Sequence, residues 1–255
     1  MTAHHRERRV IAAVRFVDQP TGELAHSDFA VVGDGTWVRN RSGMYVLVGH
    51  PDLKEYTEKF DTPPSTPASE SVNIHGEVRD PSGRYMARAF SIKVPRKNTT
   101  THRDIFESIS VPLPPATTTA LRQTWAAVRV SVRYADAPGR APAAIEGALV
   151  SLKDMERGLV YVGLSDRRGE ALVISSGIPL FRAGDNDTAI FEPTVAHKLS
   201  VCVDPAATDP ETGRRATLPD PEDLWARRTH IVRRERSFRL AAGQAMHLSV
   251  DVPRP

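Results

Sequence analysis

The stretch Ala144–Ile174, AIEGALVSLKDMERGLVYVGLSDRRGEALVI, decides the reading of this chain. It divides into three short apolar runs, Glu146–Leu152, Gly158–Leu164 and Glu170–Ile174, joined by KDMERG and SDRRG. Asp binds its own backbone in such turns and Gly accepts positive φ, so both joints read as tight turns between antiparallel strands. A chain built this way is an antiparallel β-sandwich.

Working outward, the same rhythm recurs on both sides. Val128, Val130, Val132 and Tyr134 alternate with Arg129, Ser131 and Arg133, and Met246, Leu248, Val250 and Val252 alternate with His247, Ser249 and Asp251. Both are half-buried strands by their period of two. Further strands are expected at Val10–Phe16, Phe29–Val32, Thr36–Arg39, Met44–Val48, Val72–Val78, Phe90–Val94 and Ile109–Leu113. The segment from Pro51 has room for a short helical turn. Asp61–Glu70 is a Pro/Ser/Thr loop that cannot pair as a central strand.

From Pro179 to Arg236 the rhythm breaks. One strand, Leu199–Val203, and a short helix in PEDLWARR are expected there; the remainder reads as an extended loop region. A long irregular run inside a compact domain is usually functional or wraps a partner.

The expected fold class is therefore all-β, with two tandem antiparallel β-sandwich domains. A basic N-terminal tail at 1–8 precedes a first domain at 9–113. A proline-stiffened linker at 114–124 leads to a second domain at 125–255, which carries the loop region 179–236. The length of 255 residues suits two such domains.

Composition agrees. Twenty prolines and sixteen glycines against few aromatics suit a turn-rich chain, and 40% apolar residues is a globular balance. The net charge of +3 is modest for a nucleic-acid binder. The single cysteine, Cys202, allows no internal disulfide, so the fold needs no oxidising compartment. Only Val10–Val14 is apolar before Arg15, which is too short for a signal peptide, and no run approaches a membrane span. The expected location is cytoplasmic as synthesised, with release inside a particle kept open.

Residues 126–252 resemble the carboxypeptidase-regulatory-like, or transthyretin-like, β-sandwich family. The resemblance rests on Gly147, Ala148 and Val150 in a strand and on Asp166, Gly169 and Ala171 in the following turn. Residues 9–113 resemble a degenerate version, with RNRSGMYVL as the hairpin and VRDPSGRYMARAF repeating the turn. Members of that family are mostly non-catalytic stalks, accessory domains and adaptors. Tandem domains of this style resemble accessory or fibre components of phage-tail-like particles and contractile injection systems. The resemblance thus implies a non-enzymatic structural or adaptor subunit of a bacterial assembly, with other protein subunits as partners. The alternative it leaves is a module that binds glycans or cell surfaces. The family's hydrolases, which open 5-hydroxyisourate, end in a Y-R-G-S-type motif; this chain ends VDVPRP.

No catalytic, cofactor or metal site is expected. His4 and Glu7 have the H-x-x-E spacing of a zinc pair but no third ligand, and read as a chance match in a solvated tail. Gly184–Thr188, GDNDT, is an acidic loop without EF-hand spacing, and an Asx-turn loop accounts for it. His75 and His247 fall on polar strand faces; His26, His50, His102 and His197 fall in or near loops. Cys202 reads as a structural thiol. Trp37 and Trp125 read as core or interface anchors. The densest basic patch runs from Arg227 to Arg236. It is either a docking surface for an acidic partner or a solvated strand or loop balanced by Glu235. No aromatic interleaves its arginines, which argues against nucleic acid. The docking candidates are Trp225, Arg227, Arg228, Arg233 and Arg234.

Overall fold

In the computed structural model the described residues are 10–58, 66–96, 107–136, 139, 141–180, 182–183, 190–191 and 194–255. The chain folds into two compact units. One comprises the chain up to Val17 with Leu24–Pro81 and Ala89–Pro112; the other comprises Asp18–Glu23, Ser82–Arg88 and Leu113–Pro255. The fold is all-β, as the alternating pattern predicts.

The first unit carries β1 (Ala12–Asp18), β2 (Ala30–Gly33), β3 (Thr36–Arg39), β4 (Tyr45–Gly49), α1 (Lys54–Glu58), β5 (Val72–Arg79), β6 (Arg88–Val94) and β7 (Ile109–Leu113), except that the end residues Asp18, Arg88 and Leu113 belong to the second. They form two sheets, β3-β4-β1-β7 and β2-β5-β6. Between them Phe16 gathers the rings of Phe29, Tyr45 and Phe90 at centroid distances of 5.2, 5.3 and 5.9 Å. Such tilted and edge-on contacts suit the ring quadrupoles. The Tyr45 hydroxyl donates to the Phe29 carbonyl at 2.7 Å, so the buried phenol keeps a partner.

The second unit carries β8 (Ala126–Tyr134), β9 (Leu149–Asp154), β10 (Val160–Leu164), β11 (Glu170–Ser175), β12 (Arg182–Ala183), β13 (Ile190–Phe191), β14 (Thr194–Val203), α2 (Pro221–Ala226), β15 (Val232–Ala241) and β16 (Ala245–Val252). Its sheets are β10-β9-β14-β15 and β11-β8-β16, with β12 and β13 pairing separately. Inward residues at alternate positions, including Val128, Val130, Val132, Val150, Leu152, Val173, Leu199, Val201 and Leu240, form one core. Burying each such side chain stabilises the fold by about 1.5–3 kcal/mol.

The Ala144–Ile174 stretch links the two sheets of this unit. β9 pairs antiparallel with β10, Val160 opposite Lys153 through Leu164 opposite Leu149, and β11 crosses to the other sheet to pair with β8. Asp154 closes the first turn: Oδ1 accepts from the Glu156 and Arg157 amides at 2.9 and 2.8 Å, and Oδ2 accepts from Arg157 Nε at 2.6 Å. Asp166 closes the second by accepting from the Arg168 amide at 2.8 Å and the Glu170 amide at 3.1 Å. Gly169 ends that turn at φ +77°, where any side chain would be strained and would strike the Val132 carbonyl.

Two features depart from the sequence reading. The strand expected at Leu199–Val203 begins at Thr194, and Val232–Ala241 is a ten-residue strand antiparallel to it along its whole length. The C-terminal part of the expected loop region is therefore sheet. Also, β16 runs parallel to β8, Ala245 opposite Ala127 through Val252 opposite Tyr134, so the sandwich is not wholly antiparallel. Most of the unit lies between those two strands, which supplies the long crossover that a parallel pairing needs. Gly243 (φ +74°) turns the chain from β15 into the other sheet.

Candidate partner-docking surface

The two flanks of the second unit's sandwich differ. On one, β10 passes into β11 through the Ser165–Gly169 turn, and the backbones touch: a Cβ on Gly163 would lie 2.5 Å from the Leu172 carbonyl oxygen. That flank is closed. On the other flank β15 is the last strand of its sheet, and among the described residues no strand pairs with its outer edge. There Leu199, Arg234, Glu235, Arg236, Ser249, Val250 and Asp251 line a cleft of about 220 Å³.

β15 distributes the predicted basic patch over two faces. Phe238 and Leu240 face the core, so period two places Arg234 and Arg236 on the same inward side, opposite Val201 and Leu199 of β14. Arg233, Glu235 and Arg239 face outward. There each charge has a partner within the chain. Glu235 pairs with Arg233 and with Lys198 Nζ at 2.8 Å, and Arg239 donates to Thr194 Oγ1 at 2.8 Å. These contacts hold the Glu235 carboxyl below its usual range, the hydrogen bond from Lys198 contributing most. Arg234 and Arg236 are exposed and have no ion-pair or side-chain hydrogen-bond partner among the described residues.

The helix end of the patch is equally self-contained. Asp220 caps α2 by accepting from the Glu222 amide at 3.0 Å, and Arg88, fully buried, pairs with Glu222 and Asp220. α2 lays Leu224 and Trp225 on the outer face of its sheet, over Leu149, Leu164, Val162 and Cys202. Arg228 covers the Trp225 ring at 4.4 Å and donates to the Trp225 carbonyl at 2.7 Å. Arg227 bridges Asp223 and Asp204 at 2.6 and 2.8 Å. Of the five docking candidates, Trp225, Arg227, Arg228 and Arg233 are thus tied into the unit. Arg234 is left facing the cleft, joined by Arg236, which only the register of β15 reveals.

Two clusters share residue types with hydrolase sites but not their geometry. His197 sits in β14, not in a loop, and is 1% exposed. Its Nδ1 donates to the Val195 carbonyl at 2.9 Å, which leaves Nε2 bare to accept from the Ser175 hydroxyl at 3.1 Å. Burial pushes the His197 pKa down. The pair is a satisfied core bond that no substrate can reach. On the outer face of the β11-β8-β16 sheet, Ser131 donates to Glu170 at 2.7 Å and meets His247 Nε2 at 2.9 Å, while a Glu170 oxygen lies 3.8 Å from that same nitrogen. Serine and carboxylate both lie on one imidazole nitrogen, so His247 cannot relay between them as a catalytic base does.

His75 lies exposed between Asn73 and Ser91, both 3.1 Å away, and the half-buried His50 accepts from the Asp52 amide at 3.2 Å. His26 is exposed. Cys202 is buried as a free thiol, its pKa raised by that burial. Trp37 stands edge-on to Phe90 at 5.9 Å, and Arg122 covers Trp125 at 4.8 Å. His4, Glu7, His102 and the Gly184–Thr188 loop lie outside the described residues. Among the described residues no three His, Cys, Asp or Glu gather as a metal site, and no helix is long and apolar enough to cross a membrane.

No protein family matches the chain, and no curated protein does. Among solved structures it is similar to a minor pilin of Streptococcus agalactiae, GBS52. The TM-score is 0.30 and the identity 7%, over 96% of each chain. It is also similar to the Bacillus anthracis TIE protein, with a TM-score of 0.25 and 12% identity over 96% of this chain, which spans about a third (34%) of that one. The β-sandwich description rests on this chain's own sheets and cores.

Proposed function

We propose that this chain is a non-enzymatic structural or adaptor subunit of a multi-protein assembly of the phage-tail-like, contractile-injection kind. It docks through its sheet edges and the 180–236 region, to which the continuation of β15 is added. The observation that carries this reading is the ten-residue edge of β15, with which no strand pairs among the described residues, on a flank opposite the one where the β10 and β11 backbones meet. A long unpaired edge is a template for another chain, and folds that do not use one usually shorten or cover it. The transthyretin-like resemblance of the Ala144–Ile174 stretch, and a core that needs no disulfide, suit a module of that kind. A glycan-binding role would need an open aromatic platform. Trp225 lies between Arg228 and its own hydrophobic cluster, and Trp37 stands against Phe90, so neither favours that alternative.

The test is gentle recovery of the tagged chain from its source cells, with the native mass and subunits identified. Recovery in a megadalton particle with tube, sheath or baseplate proteins is the expected outcome. Recovery as a free monomer contradicts the reading.

A further inference from the structure

Resting on that docking reading, we infer that β15 receives an extended acidic segment of a partner protein, added as a further strand, whose carboxylates pair with Arg234 and Arg236. Two observations meet here. Among the described residues no strand pairs with the outer edge of β15 over its ten residues, about 30 Å of strand. On its inward side two arginines stand roughly 7 Å apart along the strand, exposed and without partners among the described residues, whereas on the outward side Glu235 pairs with Arg233 and Lys198, and Arg239 lies 4.0 Å from Glu156. Asp251, the other carboxylate at the cleft, already holds Arg133 Nε at 2.6 Å.

The register defines the partner. Along β15 the inward order is Arg234, Arg236, Phe238, Leu240. An antiparallel incoming strand would present, from its N-terminus, apolar residues opposite Leu240 and Phe238, then carboxylates opposite Arg236 and Arg234. Its motif is apolar-x-apolar-x-acidic-x-acidic. Backbone bonds to the free edge supply affinity; the two carboxylates, each able to take a bidentate guanidinium, supply specificity and fix the register. Inward-pointing charges can also serve only to keep an edge unpaired. The experiment separates that role from docking.

A fluorescein-labelled ten-residue peptide carrying this motif with two glutamates is titrated into the full chain by anisotropy. Controls are the same peptide with lysines for the glutamates, and a peptide of equal charge with two prolines that block strand pairing. The acidic peptide is expected to bind, the lysine and proline peptides at least tenfold more weakly. The double variant Arg234→Glu/Arg236→Glu, with urea midpoints confirming the fold, is expected to lose the acidic peptide at least tenfold and to gain the lysine peptide. Equal binding of the proline peptide would reduce the site to an unspecific basic surface and overturn the proposal. So would no binding, preferred binding of a single-stranded RNA oligomer, or self-association of the chain through this edge. If the chain is recovered in a large particle while the peptide fails, the docking reading survives and the β15 assignment falls.

Discussion

Ser165 shows how much one hydroxyl does at the turn between β10 and β11. Its Oγ accepts from the Ala148 amide at 2.8 Å and donates to the Ile145 carbonyl at 2.6 Å, and the residue is 2% exposed. Ser165→Ala leaves a buried amide and a buried carbonyl without that partner, so it should lower stability by about 1–3 kcal/mol in urea unfolding. His197 makes a prediction about pH. Its folded pKa lies below the unfolded one, so below about pH 6.5 the unfolded chain binds the extra proton and stability falls with falling pH. Asp154, Asp166 and Asp204 act in a lower window. Burial alone would raise each carboxyl, but the hydrogen bonds they accept outweigh it and hold all three low. Their contribution is present above about pH 4 and is lost as pH falls through their folded values. Urea midpoints at pH 7.5 and 5.5 therefore isolate the histidine: the wild type should drop, and His197→Gln should drop less. Equal slopes would contradict the assignment.

At the scale of elements, Gly163 sets the closed flank. Gly163→Ala puts a methyl on the Leu172 carbonyl, forces β10 and β11 apart, and should cost about 1–3 kcal/mol by the same unfolding assay. Asp220→Ala removes the cap of α2 and a partner of Arg88 together, and should cost about 1–2 kcal/mol, read as a lowered melting temperature. The strands β8 to β11 and β16 are legible in the sequence because apolar residues recur at the strand period and Asp–Gly turns separate them. β15 is not legible in the same way. Its inward set includes Arg234 and Arg236 where a buried strand would carry Val or Ile, so a strand that follows the period in space looks like a charged loop in sequence. Likewise Thr194–Lys198 hides a core strand because His197 occupies an inward position, its polarity offset by bonds to Val195 and Ser175 that no local pattern announces. The candidate site was legible as a basic patch, but not its division into an outer face whose charges have partners and an inner one whose arginines have none among the described residues, which depends on pairing with β14.

At the scale of the whole molecule, the described residues form two sets of sheets with their own apolar cores and no cluster with the geometry of a reactive centre. Among the described residues, the ten-residue edge of β15 is an end-strand edge with two exposed, unpartnered arginines on its inward side. The most direct measurement is amide hydrogen exchange over Val232–Ala241, compared between the isolated chain and the chain in its native complex. Slower exchange there in the complex, with the β9–β10 hairpin unchanged, is the predicted result. Unchanged exchange along β15, with protection elsewhere, would contradict docking at this edge.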